Sequence, residues 1–195
     1  MSDVETPQDS KDFDANALDL SPDELQAQYP IHFKIANKSP SVAQVIRAYH
    51  QGDAGSVHKR DVNGFLPVHV AACSENLQAL RALLELDPNG MAEDLKDLKN
   101  TEGMTPLEML ESSMRSSKEF METMMEVWNG YSDKGLTCEY LLKKAMNLPV
   151  TGTEEEYIKK GKFGCTCGMC TDGWLSPRMR FRLTGEFFLW VLIIK

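Results

Sequence analysis

The sequence has few cysteines, no long apolar run and no excess of positive charge. Five cysteines in 195 residues are an odd number and too few for a small disulfide scaffold. No apolar run reaches the roughly 20 residues that a membrane-spanning helix needs. The first thirty residues lack the basic start and the apolar stretch of a secretory signal. We therefore expect an intracellular protein, cytoplasmic or nuclear, without a membrane span.

The net charge of −8 lies almost entirely in the N-terminal tail. Residues 1–28 hold eight acidic residues and one basic residue, so the rest of the chain is nearly neutral. A nucleic-acid-binding domain is usually clearly basic, and we do not expect a nucleic-acid ligand for the folded part. Residues 1–20 are polar and aperiodic, which predicts a disordered acidic leader. Ser21, Pro22 and Glu24 then predict a capped helix over about 22–28.

An internal repeat is the strongest pattern in the sequence. Three proline-led segments are separated by 37 and 39 residues: Pro30-Ile31-His32, Pro67-Val68-His69 and Pro106-Leu107-Glu108. The second and third segments are each preceded by a polar residue and a glycine, with successive members of the pattern three positions apart. The two sets are Asp61, Gly64 and Pro67, and Asn100, Gly103 and Pro106. Glycine permits a turn with positive φ, and proline suits the first position of a helix.

A second apolar segment with helical spacing follows each proline-led helix. The periodic positions are Val42, Val45, Ile46 and Tyr49, then Leu77, Leu80, Leu83 and Leu84, then Phe120, Met121, Met124, Met125 and Trp128. We expect the methionines to fill the core. One helix pair cannot bury its apolar face alone, so the pairs are predicted to stack. A further helix from Leu136 to Met146 is expected to cover the end of the stack, before a polar linker at 150–162.

The stretch Gly64-Phe65-Leu66-Pro67-Val68-His69-Val70-Ala71-Ala72 resembles the T-P-L-H-x-A-A core of an ankyrin repeat. The third unit has Glu108 where that family has histidine, and the first has Lys34 where a small residue is expected. The resemblance covers about residues 29–128. It implies an all-α stack of ankyrin-like units over 21–148, including a capping helix. It also implies that His32 and His69 bond to turn backbone between units. Residues 149–195 would hold the linker, a cysteine-rich basic segment and an apolar tail.

The resemblance implies an interaction module or adaptor that binds a protein partner on a concave face. Carried over position by position, that face would comprise Val62, Asn63, Phe65, Cys73, Ser74, Thr101, Glu102, Met104, Ser112 and Ser113. Phe65 and Met104 are the expected apolar anchors. No nucleophile elbow, phosphate-binding loop, zinc-protease motif or dinucleotide fingerprint is present, so we do not expect an enzyme.

A cysteine cluster near the C-terminus is the strongest metal-ligand pattern. Cys165, Cys167 and Cys170 could supply three thiolates to a structural zinc ion, with Cys138, His50 or His58 as candidates for an unassigned fourth ligand. His50 and His58 are expected in an exposed loop. Plain reduced thiols, or redox chemistry, explain the same pattern. With the basic arm that follows, Gly173 to Arg182, the cluster supports an alternative function as a zinc-dependent nucleic-acid or chromatin accessory.

The chain closes with eight apolar residues, Phe187 to Ile194. This run is too short to span a bilayer. It is compatible with an edge strand docked on the array, with a short interfacial anchor, or with the end of a truncated or misannotated chain. The abrupt change in composition after Arg182 favours the last interpretation.

Overall fold

The computed structural model describes residues 21–52, 57–86, 95, 97–124, 126 and 128–164, and for 49–52 the backbone only. These residues contain eight α-helices and no strand, so the predicted all-α class is confirmed for them. The helices are α1 (Pro22–Gln28), α2 (Pro30–Ala36), α3 (Val42–Gly52), α4 (Pro67–Cys73), α5 (Leu77–Leu86), α6 (Pro106–Thr123), α7 (Asp133–Ala145) and α8 (Glu154–Gly161). None of the described helices is both long and apolar enough to cross a membrane.

Helix α1 begins where the capping pattern predicts. The Ser21 side chain accepts a hydrogen bond from the Glu24 N–H, and the Glu24 carboxylate accepts one from the Ser21 N–H at 2.8 Å. These bonds satisfy two backbone donors that a helix start leaves open. The hydrogen bonds that the Ser21 N–H and hydroxyl donate to the Glu24 carboxylate lower the pKa of that carboxyl.

The helices form two rows that are joined in pairs. In one row, which we call the inner row, α4 packs between α2 and α6. In the other, the outer row, α5 packs between α3 and α7. Helix pairs α2–α3, α4–α5 and α6–α7 join the rows. Each inner helix begins with proline, as predicted. The shared core lies between the rows, and its largest fully buried side chains include Ile31, Ile35, Ile46, Leu80, Leu83, Leu110, Leu136 and Leu142.

Sharp reversals connect the inner to the outer helices in the first two units. Lys38 and Glu75 follow the ends of α2 and α4 with φ of +49° and +51°. Asn76 then caps α5, because its side-chain oxygen accepts from the Ala79 N–H at 3.2 Å. The amide of the same Asn76 side chain donates to the Ile35 carbonyl at 2.9 Å. One buried polar residue therefore starts a helix and ties the second unit to the first.

The third unit differs from the prediction. Phe120 to Trp128 was expected to form a second helix, but residues 106–123 form one continuous helix of 18 residues. The second unit turns at Glu75 and starts its next helix with the capping residue Asn76, whereas the third unit has Arg115 at the position equivalent to Asn76. Arginine cannot cap a helix start in this way, so no new helix begins there. The outer helix of the third unit is α7, which was expected to cover the end of the stack.

The predicted apolar face around Phe120 is only partly buried. Trp128 is in the core, but Phe120 and Met124 are 62% and 58% exposed. The prediction of a methionine-filled core is therefore wrong for Met124, and Met125 lies outside the described residues. These side chains are exposed because α6 continues without a break, so they extend along the inner row and do not pack in the outer row.

The stretch 150–162, predicted as a polar linker, contains helix α8 packed on α7. Its Thr153–Glu156 capping box starts the helix. The Tyr157 hydroxyl donates to Glu139 of α7 at 2.7 Å, and the Lys143 ammonium donates to Tyr157 at 3.2 Å. Burial and the Glu139 carboxylate raise the pKa of Tyr157 to about 12. Burial alone would lower the pKa of Lys143, but its bonds to Glu139 and Tyr157 outweigh burial and raise it.

Candidate protein-binding surface

A tight turn held by an aspartate precedes α4. One carboxylate oxygen of Asp61 accepts hydrogen bonds from the backbone N–H groups of Asn63 at 2.9 Å and Phe65 at 2.8 Å. The Gly64 N–H donates to the Asp61 carbonyl at 2.9 Å. Gly64 has φ of +72°, a conformation in which a β-carbon is strained. The turn thus requires an acceptor side chain at its start and glycine three residues later.

The turn before α6 has the same geometry with different residues. The amide oxygen of Asn100 accepts from the N–H groups of Glu102 at 3.0 Å and Met104 at 2.8 Å. The Gly103 N–H donates to the Asn100 carbonyl at 3.1 Å, and Gly103 has φ of +78°. Asparagine therefore takes the place of aspartate. The spacing of polar residue, glycine and proline in the sequence corresponds to one turn made twice.

Hydrogen bonds join the two turns side by side. The Thr101 hydroxyl donates to the Asn63 carbonyl at 2.7 Å. The Arg60 guanidinium donates to the Gly64 carbonyl at 2.8 Å and to the Lys99 carbonyl at 2.7 Å. Sequence reasoning missed Arg60. Its position directly before Asp61, matched by Lys99 directly before Asn100, is the signal that could have found it.

Two buried histidines connect each inner helix to the turn of the next unit. His32 of α2 bonds through Nε2 to the Phe65 carbonyl at 2.9 Å. His69 of α4 bonds through Nε2 to the Met104 carbonyl at 3.3 Å. These are the bonds between units that the sequence analysis expected of the two side chains. The first unit therefore takes part in the same connection as the second, although it lacks the aspartate–glycine turn.

The hydrogen bonds of His69 define its neutral form. Its Nδ1 accepts from the Leu66 N–H at 3.3 Å, so the proton resides on Nε2 and points at the Met104 carbonyl. Burial lowers the pKa of His69, and it also lowers the pKa of His32. Both carbonyl bonds act in the opposite direction but are outweighed. Both imidazoles are thus held neutral between units.

The third unit has no histidine that bonds to the turn of a following unit. Its equivalent residue, Glu108, accepts from the Thr105 N–H at 2.8 Å and from the Thr105 hydroxyl at 2.9 Å. These bonds lower the pKa of Glu108. Glu108 therefore caps its own helix, whereas His32 and His69 reach a following turn.

The residues predicted to bind a partner lie along the turns and the inner helices. Those with exposed side chains are Asn63, Cys73, Thr101, Glu102 and Ser112, and those half-buried are Val62, Phe65, Ser74, Met104 and Ser113. The Phe65 ring stacks on His69 with 6.3 Å between ring centres. The Ser113 hydroxyl donates to the Cys73 carbonyl at 3.4 Å, so these two residues mark the seam between α4 and α6.

The predicted zinc ligands Cys165, Cys167 and Cys170 lie outside the described residues, as do the basic arm and the acidic leader. Cys138 is fully buried, and burial raises its pKa to about 12. A thiol in this environment is a poor zinc ligand, because binding needs the thiolate. His50 belongs to α3 rather than to a loop, and His58 is exposed as expected. Among the residues that the structure describes, no three metal-ligating side chains come together.

Comparisons of the chain with protein-family models, with curated proteins and with solved structures found no match.

Proposed function

We propose that the chain is a protein-interaction module in which three ankyrin-like units bind a partner on a concave face. The face would consist of the turns before α4 and α6 and of the exposed sides of the inner helices. The observation that carries this proposal is the repetition of one hydrogen-bonded turn at Asp61 and Asn100. The cross-unit histidine bonds support it further.

The internal hydrogen bonding of the turns favours recognition of a protein. Each turn is held by its own Asp or Asn side chain and by bonds from the neighbouring unit, so little backbone freedom remains to be lost on binding. Preorganisation of this kind favours affinity, because the ordering cost is met during folding. The side chains that project from such turns form an extended surface shared by adjacent units.

Phe65 and Met104 are the apolar anchors of the proposed face. Each follows the glycine of its turn, each is half-buried, and each donates its N–H to the residue that opens the turn. The two anchors therefore occupy equivalent positions in adjacent units. Asn63, Thr101 and Glu102 form the polar part of the same surface. Apolar anchors within a polar rim are typical of protein interfaces.

The experiment begins with affinity capture from native extract on the full chain, followed by titration with the purified captured partner. The double variant Phe65→Ala/Met104→Ala is compared with Val45→Ala/Leu84→Ala, which trims half-buried apolar residues on the outer helices. We expect the first pair to weaken binding at least tenfold and the second to leave it within about twofold. Equal weakening by both pairs, or loss of helical signal with the first, would refute the assignment of the face.

A further inference from the structure

The second half of α6 carries an exposed apolar surface. Phe120 and Met124 are 62% and 58% exposed and lie one turn apart. By helical periodicity, Ser113 and Ser117 lie on the same side of the helix as these two residues. We call these four residues the α6 flank. Clustered exposed apolar side chains on a soluble fold usually mark a contact surface.

The different lengths of α4 and α6 explain this exposure. Helix α4 has seven residues and ends at Cys73, whereas its neighbour α6 has 18. The Ser113–Cys73 bond shows that the flank faces α4 at the point where α4 ends. Beyond Ser113 the flank continues for more than two turns past the end of its neighbour. Phe120 and Met124 lie on this overhanging part.

The described chain ends close to the same end of α6. The Tyr131 N–H donates to the Lys162 carbonyl at 2.8 Å, and a β-carbon placed on Gly130 would lie 3.2 Å from the Phe163 ring. Only six residues lie between Thr123, the last residue of α6, and Gly130. Residues 165–186 could span about 70 Å when extended, so the apolar run Phe187–Ile194 reaches the flank easily.

The charges of the two segments are complementary. Residues 106–126 contain five glutamates against one arginine and one lysine. Glu108 caps α6, Glu111 contacts Lys143 and Glu122 contacts Lys118, while Glu119 and Glu126 are exposed beside the flank. The residues before the apolar run include Arg178, Arg180 and Arg182, with Glu186 as the one acidic residue among 178–186. The net positive charge of 178–186 therefore matches the exposed glutamates beside an apolar surface.

We propose that Phe187–Ile194 docks onto the α6 flank of its own chain, with Phe120 and Met124 as its main apolar contacts. The arginines at 178–182 then approach the exposed Glu119 of α6. Docking would cover an apolar run that is an aggregation hazard when exposed. The occupied flank would adjoin the Cys73–Ser113 seam, so the docked tail would border the inner-row face without blocking its turns.

Photo-crosslinking of the full chain tests this docking directly. Phe120 is replaced by p-benzoylphenylalanine, a photoreactive analogue, and the linked peptides are identified by mass spectrometry. A mixture of isotope-labelled and unlabelled chains separates links within one chain from links between chains. The matched control carries the analogue at Gln78, an exposed position on the outer helix α5.

We expect position 120 to link to residues 187–194 of the same chain and position 78 not to do so. Introducing charge into the tail with Leu189→Asp/Val191→Asp should reduce the link at least fivefold while helical content stays unchanged. Links only between different chains would overturn the proposal in favour of self-association. Links to neither copy of the tail, or equal links from both positions, would overturn it as well.

Discussion

Replacing His69 with leucine tests the bond that joins the second unit to the third. Leucine fills a similar volume but leaves two hydrogen bonds unmade. The Leu66 N–H then loses the acceptor that it contacts at 3.3 Å, which costs about 2 kcal/mol for a buried donor. The Met104 carbonyl keeps its bond from the Asn100 N–H, so its loss is smaller, about 1 kcal/mol. We expect the free energy of unfolding to fall by about 3 kcal/mol in His69→Leu.

The pH dependence of stability separates this explanation from a simple packing defect. The folded-state pKa values of His69 and His32 are lowered by burial, so the unfolded chain takes up protons first as the pH falls. The contribution of the two histidines to the free energy of unfolding is fully present above about pH 6.5. It is lost as the pH falls from there toward their lowered folded-state pKa values. Each histidine contributes a slope of at most about 1.4 kcal/mol per pH unit in that window.

Urea unfolding of wild type and variants between pH 7.5 and 5.5 measures both effects. We expect His69→Leu to lose one histidine's share of the slope and to retain the share from His32. His58→Leu, the same change at an exposed residue, should alter stability by less than about 0.5 kcal/mol. A His69→Leu variant as stable as wild type at pH 7.5, or with an unchanged slope, would refute the reasoning.

Two further predictions concern the turns and the last helix. Gly64→Ala should lower the free energy of unfolding by about 2–3 kcal/mol and Gly103→Ala by only about 1 kcal/mol. Both glycines have positive φ, but a β-carbon at Gly64 would lie 2.8 Å from the Thr101 methyl, whereas Gly103 has open space. Equal losses in urea unfolding would contradict this. Tyr157→Phe removes the bond to Glu139 and should destabilise the docking of α8 by about 1 kcal/mol, visible as faster amide exchange across 154–161. Unchanged exchange there would contradict the proposed docking.

The local features of this fold follow from short sequence patterns. The Ser21–Glu24 capping box, the proline starts of the inner helices and the turns at Gly64 and Gly103 all depend on residues within six positions of one another. Their geometry is set by backbone sterics and by hydrogen bonds between near neighbours. Periodicity and residue type therefore predicted them without reference to the rest of the chain.

The third unit shows where local patterns are insufficient. The apolar spacing from Phe120 to Trp128 predicted a helix in the outer row, but spacing does not tell whether a new helix begins or an existing one continues. With Arg115 in place of the capping residue Asn76, α6 continues to Thr123, and α7 takes the outer position. Helix α8 was missed although its Thr153–Glu156 capping box is a local signal, because its sequence is mostly charged and the helix is stabilised by contacts with α7.

The residues of the candidate surface were identified partly from the sequence and partly from the tertiary structure. Sequence alone identified the turn residues, including Phe65 and Met104, because glycine and proline mark their positions. Only the tertiary structure showed that Arg60 and Thr101 tie the two turns together. The resemblance led us to expect a bond from His69 to turn backbone, and the structure identified its acceptor as the Met104 carbonyl. These contacts join residues 35 to 39 positions apart, and their partners are set by how the units stack rather than by any short motif.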